Sequence, residues 1–170
     1  MFYKNSKYSG YSPDDFGRFD ILRGLEFGSV LDVGSGPCQL QKWLRGLGVD
    51  PEYEAVDLRE DALEHCDCRT YVKVPSRKKY DLVCLFGTAD YCRPADRASR
   101  KAEFEDLLLT SAKRARSLVV FSAVKPDPAL FNMVQHTLEE VQALASRIGS
   151  DYSIDSDLEP TEFLVVVRLA

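Results

Sequence analysis

The sequence predicts an α/β fold in which parallel strands alternate with helices. Three observations carry that expectation. Ser29 to Val33 is a short β-branched and apolar run, the composition of a strand buried on both faces. Gly34 and Gly36 follow at once, and without a Cβ they let the backbone turn sharply and approach a ligand closely. Beyond them Leu40, Trp43, Leu44 and Leu47 stand at helical spacing and form one apolar stripe. Strand, glycine turn and helix in that order build a nucleotide-type site at the carboxyl end of a strand. Pro37 suits the first helical turn, where a missing N–H costs nothing. Gly46 and Gly48 supply the stop.

Composition sets the outer bounds. A length of 170 residues fits one domain with a real core. The formal net charge of -5 argues against non-specific nucleic-acid binding. No run approaches the roughly 18 apolar residues that a membrane helix needs. Met1-Phe2-Tyr3-Lys4-Asn5 lacks the apolar centre of a secretory signal. A cytoplasmic protein with no membrane partner is therefore expected, and its five cysteines are expected as free thiols. Cys66-x-Cys68 beside His65 has poor zinc spacing without a second ligand pair, so no metal is expected.

The remaining elements follow in chain order. Residues 1–28 read as a leader. Ser12-Pro13-Asp14-Asp15 combines a hydroxyl N-cap, an early proline and acids at the positive dipole end. With Phe16, Phe19, Leu22 and Leu25 it predicts a helix from Pro13 to Leu25. Tyr53 to Asp57 is the second strand, and Asp57 stands 23 residues after Gly34. A short helix from Arg59 to His65 and a strand near Arg69 to Val74 fill a compressed stretch. Arg77-Lys78-Lys79 reads as a solvated turn. Tyr80 to Phe86 is a clear apolar strand, followed by Gly87-Thr88-Ala89-Asp90-Tyr91. Glu103 to Arg116 is predicted helical, with Phe104, Leu107, Leu108 and Ser111 on one face. Lys113, Arg114 and Arg116 match its negative dipole end. Ser117 to Ser122 is the fifth strand. A long helix is predicted from Pro126-Asp127-Pro128 to Ile148, with Leu130, Val134, Leu138, Val141, Ala145 and Ile148 as its stripe. His136 falls off that stripe and is expected at the surface. Tyr152 to Asp155 and Phe163 to Leu169 are the last two strands.

The ligand class turns on the glycine motif. In Gly-x-Gly-x-x-Gly the third glycine would fall at Gln39, so the dinucleotide fingerprint is incomplete. Instead an acid, Asp32, stands two residues before Gly34. Asp32-x-Gly34-x-Gly36 resembles motif I of the class I S-adenosylmethionine (SAM) dependent methyltransferases. Cys38 departs from that family's third small residue, although a thiol is small and apolar. Asp57 resembles the acid of motif II, and Tyr80 to Phe86 the strand of motif IV.

The resemblance covers the chain from Gly28 onward and carries several implications. It implies a seven-stranded, mostly parallel, doubly wound sheet of order 3-2-1-4-5-7-6 with the last strand antiparallel and helices on both faces. It divides the chain into a leader over 1–28, acting as a lid, and a SAM-binding domain over 29–170. It places Asp32, Gly34, Ser35 and Gly36 around the amino-acid end of SAM. It gives Asp57 to the ribose hydroxyls, which a carboxylate accepts in one bidentate arrangement. It sets Leu58 against adenine, adds Phe86 and Gly87 after the fourth strand, and adds Tyr11 from the leader. Asp67, Cys68 and Ser76 are three candidates for holding the adenine amino group.

Asp90 and Tyr91 are the catalytic candidates, placed to orient or deprotonate an acceptor. The segment lacks Asn-Pro-Pro-Tyr and Pro-Cys, which speaks against planar amide or adenine amino acceptors and against cytosine C5. The implied activity is methyl transfer from SAM, leaving S-adenosylhomocysteine (SAH), to an O, N or S acceptor. The acceptor is a small or medium-sized metabolite, free or carrier-bound, and a homodimer would close the open site. Two other readings stay open. One is a silent SAM-binding subunit of a partner; the other is an RNA methyltransferase using Arg77 to Lys79 and Arg93 to Arg100.

Overall fold

Runs rich in Val, Leu and Phe pair into a single seven-stranded sheet in the computed structural model, which describes residues 17–88 and 96–170. The strands are β1 (Ser29–Val33), β2 (Glu52–Val56), β3 (Arg69–Tyr71), β4 (Tyr80–Leu85), β5 (Ala115–Val124), β6 (Asp151–Asp155) and β7 (Glu162–Arg168). Their order is β3-β2-β1-β4-β5-β7-β6. The pairs from β3 through β5 are parallel, and β7 runs antiparallel to both β5 and β6. This is the predicted topology. Tyr3, Tyr8, Tyr11, the Ser12-Pro13 helix start, Asp90 and Tyr91 lie outside the described residues.

Strand periodicity divides the core in two. Along β5, Leu118 and Val120 face one side while Val119, Phe121 and Ala123 face the other. The second side packs against α3 (Arg97–Ala112) and α4 (Leu138–Ile148) through Phe104, Leu108, Val141, Leu144 and Ala145. The first packs against α1 (Gln39–Gly46) and α2 (Glu60–Leu63), with Leu40, Trp43, Leu44 and Leu63. Both faces are covered, so the strands can be apolar on both sides. Among the described residues no helix is long and apolar enough to cross a membrane.

Several boundaries differ from the sequence reading. Within the described part of the predicted Pro13 to Leu25 helix there is a 3-10 turn over Gly17–Leu22 instead. At three residues per turn it stacks Phe19 over Leu22, and both are buried. Leu47 stands one residue past the end of α1 and is 43% exposed. The third helix starts six residues earlier than Glu103 and ends at Ala112. The predicted long helix is broken. A 3-10 turn over Pro128–Leu130 is followed by an irregular stretch that buries Val134, and α4 begins only at Leu138. Thr137 starts it with a capping box: its hydroxyl accepts the Glu140 N–H, and the Glu140 carboxylate accepts the Thr137 N–H.

That break also buries His136, which was expected at the surface. Its ring packs 5.4 Å from Phe104, and its backbone N–H donates to the Val124 carbonyl. Burial first, then Lys101, pushes the imidazole down to about 4, so it is neutral at neutral pH. Lys78, read as part of a solvated turn, reaches back to Glu52 and to the buried Glu54, which also accepts the Tyr80 hydroxyl.

One buried ion pair ties the first 3-10 turn to the sheet. Arg18 meets Glu162, the first residue of β7, at 3.3 Å, with both side chains almost covered. Removing one member leaves a charge in a dry place, while replacing both removes that problem. Arg18→Ala is therefore expected to lower stability by about 3 kcal/mol. The pair Arg18→Met with Glu162→Leu is expected to recover most of the loss. Urea unfolding midpoints of the two variants check this.

Candidate cofactor site

The site starts where β1 ends. The Gly34 and Ser35 N–H groups both donate to the Val56 carbonyl, at 2.7 and 3.1 Å. The chain turns there with Gly34 at φ 75° and Gly36 at φ 52°, a region that glycine enters at little cost. Space also demands the first glycine. A Cβ at Gly34 would run into the Thr88 side chain, which is held by its own 2.8 Å hydrogen bond to the Val33 carbonyl. A Cβ at Gly36 would meet nothing within 4 Å, so the second glycine borders open space.

The loop after β2 meets this turn. One oxygen of Asp57 accepts the Gly36 N–H at 2.9 Å, and the other accepts the Arg59 N–H at 2.9 Å. Leu58 between them is 86% exposed. After β4 the Gly87 N–H donates to the Ser122 hydroxyl at 3.0 Å. Gly34, Ser35, Gly36, Asp57, Leu58 and Gly87 thus gather at the carboxyl ends of β1, β2 and β4. There the strand order reverses, which is the ligand crevice of open α/β sheets.

Two predicted residues lie beneath the crevice. Phe86 is buried edge-on against Phe19, with ring centroids 5.2 Å apart. Asp32 is buried and accepts the Tyr53 hydroxyl. Burial pushes its carboxyl up to about 7; the Tyr53 hydrogen bond opposes that rise and the Asp57 charge adds to it. Desolvation and the Asp32 charge likewise push the Tyr53 phenol well up. Tyr11, Asp90 and Tyr91 lie outside the described residues.

The cysteines correct an expectation. Cys38 and Cys66 form a disulfide across 28 residues, with Cα atoms 5.3 Å apart, so these two are not free thiols. Cys38 caps α1 in the left-handed region at φ 56°, the one non-glycine residue with positive φ among those described. Of the three adenine candidates, Asp67 pairs with Arg45 at 3.0 Å, and the Ser76 carbonyl accepts Arg114. Cys68 is half-buried; desolvation first and the Asp32 charge next push its thiol up to about 11.

Solved structures share this architecture. Magnesium protoporphyrin IX methyltransferase from Synechocystis, with bound SAH, superposes with a TM-score of 0.66 at 13% identity, over 93% of this chain and 82% of that one. A putative O-methyltransferase from Nostoc punctiforme gives 0.67 at 17% identity, over 90% of this chain and 55% of that one. The plantazolicin methyltransferase BpumL, with SAH and a triazolic desmethyl analogue, gives 0.66 at 11% identity, over 91% and 85%. The chain therefore spans about half the length of the Nostoc protein and over four fifths of the other two. No protein-family model matches the chain, and no curated protein does. The fold is that of the class I SAM-dependent methyltransferases.

The buried carboxyl gives a test by pH. Folding raises the Asp32 value from 3.8 to about 7, so between these the folded chain holds a proton that the unfolded chain has lost. Stability from this group is complete below about pH 4 and falls as pH rises through about 7, by roughly 4 kcal/mol at most. Asp32→Asn keeps an acceptor for Tyr53 and cannot ionise. The difference in urea midpoint between wild type and Asp32→Asn is expected to shift in favour of the variant from pH about 5 to about 8.

Proposed function

We propose, from a fold shared with the class I SAM-dependent methyltransferases, that this chain binds SAM and transfers its methyl group. The acceptor is an O, N or S atom of a small or medium-sized metabolite, free or carrier-bound. The observation that carries the reading is the meeting of Asp57 with the glycine turn. Each Asp57 oxygen accepts one backbone N–H and retains lone-pair capacity for a ribose hydroxyl. The open space at Gly36 leaves room for the amino-acid end beside it. The residues therefore fit the group. Asp57 would hold the ribose, Leu58 would lie along adenine, and Gly34, Ser35, Gly36 and Gly87 would present backbone to the rest.

Bound SAM supplies an activated methyl on a sulfonium. The chain's own contribution is positioning and exclusion of water, which asks for few reacting side chains. Asp90 and Tyr91 come five and six residues after the end of β4 in sequence, and we assign them to the acceptor side. We also assign Tyr11 and the leader to the lid, and a second copy to closing the site. We favour a small acceptor over RNA because Lys78, Arg100 and Lys101 are engaged with Glu52, Glu54, Glu103 and Glu140. We propose a cytoplasmic setting, in which the Cys38–Cys66 pair would be kept reduced.

Calorimetric titration with SAH tests the site. Wild type is expected to bind one equivalent. Asp57→Asn is expected to bind about 10- to 100-fold more weakly, the loss of charge-assisted hydrogen bonds to two hydroxyls. No heat with wild type, or equal affinity in the variant, overturns the reading. Labelled methyl transfer into a metabolite mixture then separates an enzyme from a silent SAM-binding subunit, because only the enzyme yields SAH and a labelled product.

A further inference from the structure

The sulfur atoms of Cys38, Cys66 and Cys68 come from three different places in the fold. Cys38 caps α1 just after the glycine turn, Cys66 follows α2, and Cys68 leads into β3. All three sulfurs nevertheless lie within 4.8 Å of one another. A disulfide needs two of them. It does not explain why a third thiol stands at the same point.

We propose that, once the disulfide is reduced, Cys38, Cys66 and Cys68 form a three-thiolate site for a thiophilic divalent cation such as zinc. A water or an external donor takes the fourth position. Tetrahedral zinc at about 2.3 Å from each sulfur sets the sulfurs about 3.8 Å apart, inside the 4.8 Å that encloses the three, once reduction lets the bonded Cys38 and Cys66 sulfurs part. Soft thiolates select zinc over magnesium or calcium. The backbone is arranged for it as well. Cys38 adopts a left-handed conformation that a β-carbon-bearing residue enters only at a cost. That conformation sets its side chain against Cys66 and puts the sulfur at the amino end of the eight-residue α1, where the dipole favours a thiolate. Half-exposed Cys66 and Cys68 give an ion a path from solvent.

The chemistry balances. A phosphine reductant and one water convert the disulfide to two thiols and a phosphine oxide. The three thiols then release three protons as the divalent ion binds, leaving one net negative charge on the group. An external disulfide re-forms the Cys38–Cys66 bond by exchange, leaves as two thiolates and ejects the ion. The disulfide and the metal are therefore alternative fastenings of one point. Either one joins the glycine turn to the segment that follows Asp57, and the ion adds the start of β3. The site does not rest on SAM binding.

The test uses the whole chain, reduced with a phosphine under nitrogen. Cobalt(II) is titrated as the probe. One equivalent is expected to give a thiolate charge-transfer band and the visible bands of a tetrahedral ion, both abolished by one equivalent of zinc. Cys68→Ser, which leaves the disulfide pair intact, is expected to bind at least tenfold more weakly, whereas Cys84→Ser binds as wild type. Absence of the bands, or equal affinity in Cys68→Ser, overturns the proposal. A measurement without variants guards against misfolding. Zinc is expected to protect Cys38, Cys66 and Cys68 of the reduced wild type from iodoacetamide, read by peptide mass. If zinc leaves Cys68 as reactive as before, the proposal fails.

Discussion

The carbonyl of Val56 holds the two halves of the site together. It receives both the Gly34 and the Ser35 N–H groups, so the turn after β1 is fastened to the end of β2. Buried backbone groups must find partners, and here one acceptor satisfies two donors. The register carries the same constraint outward. Val33 pairs with Val56 and Val56 with Tyr71, so three strands end level. The Asp57 N–H then bonds to the Tyr71 carbonyl, which fixes where the carboxylate starts. A slip of one residue between β1 and β2 would turn every side chain to the opposite face and carry Asp57 away from Gly36.

Much of the fold was legible because the strands obey a period of two and are buried on both faces. β1 was read to the residue, and β2, β4 and β7 to within one. The helices were harder. Leu130 and Val134 continue the stripe of α4 by spacing alone, yet Val134 belongs to the irregular stretch that pairs Val124 with Gln135. The signal that outweighs the stripe was present. Thr137-x-x-Glu140 is a capping box, and a helix cannot run unbroken through its own N-cap. Reading that box first would also have moved His136 out of a helix, and so out of any argument about which helical face it occupies.

The candidate site divides in the same way. Gly34, Gly36 and Asp57 were legible because their roles are local: each sits at a strand end, and a backbone turn or a first loop residue decides it. Asp32 and Tyr53 were harder to join. Asp32 is level with Ala55 across the strand pair, and Tyr53 lies two residues off on the same face. A long side chain spans that diagonal. The Cys38–Cys66 bond was out of reach. It joins two loops through a tertiary approach that no spacing rule encodes, and a cytoplasmic expectation pointed to free thiols.

Where polar groups are buried follows the ends of the strands more closely than the needs of stability. Glu54 lies inside β2 but meets Lys78 and Tyr80, so its charge is answered on the spot. Asp32, Ser35, Ser122 and the Arg18–Glu162 pair are different. They collect toward the carboxyl ends of the parallel strands, or at the start of the antiparallel β7, which reaches the same end of the sheet. Apolar residues there would hold the sheet about as well, since a buried ion pair rarely gains over a well-packed apolar one. The amino-terminal end of the sheet faces no such demand, and there Gly28 and Ser29 simply hydrogen-bond to Asp81 near the surface. Strand ends that must turn, bond and leave room for a ligand cannot also be filled with Val and Leu. The same end of the sheet therefore holds both the crevice and the costliest buried groups.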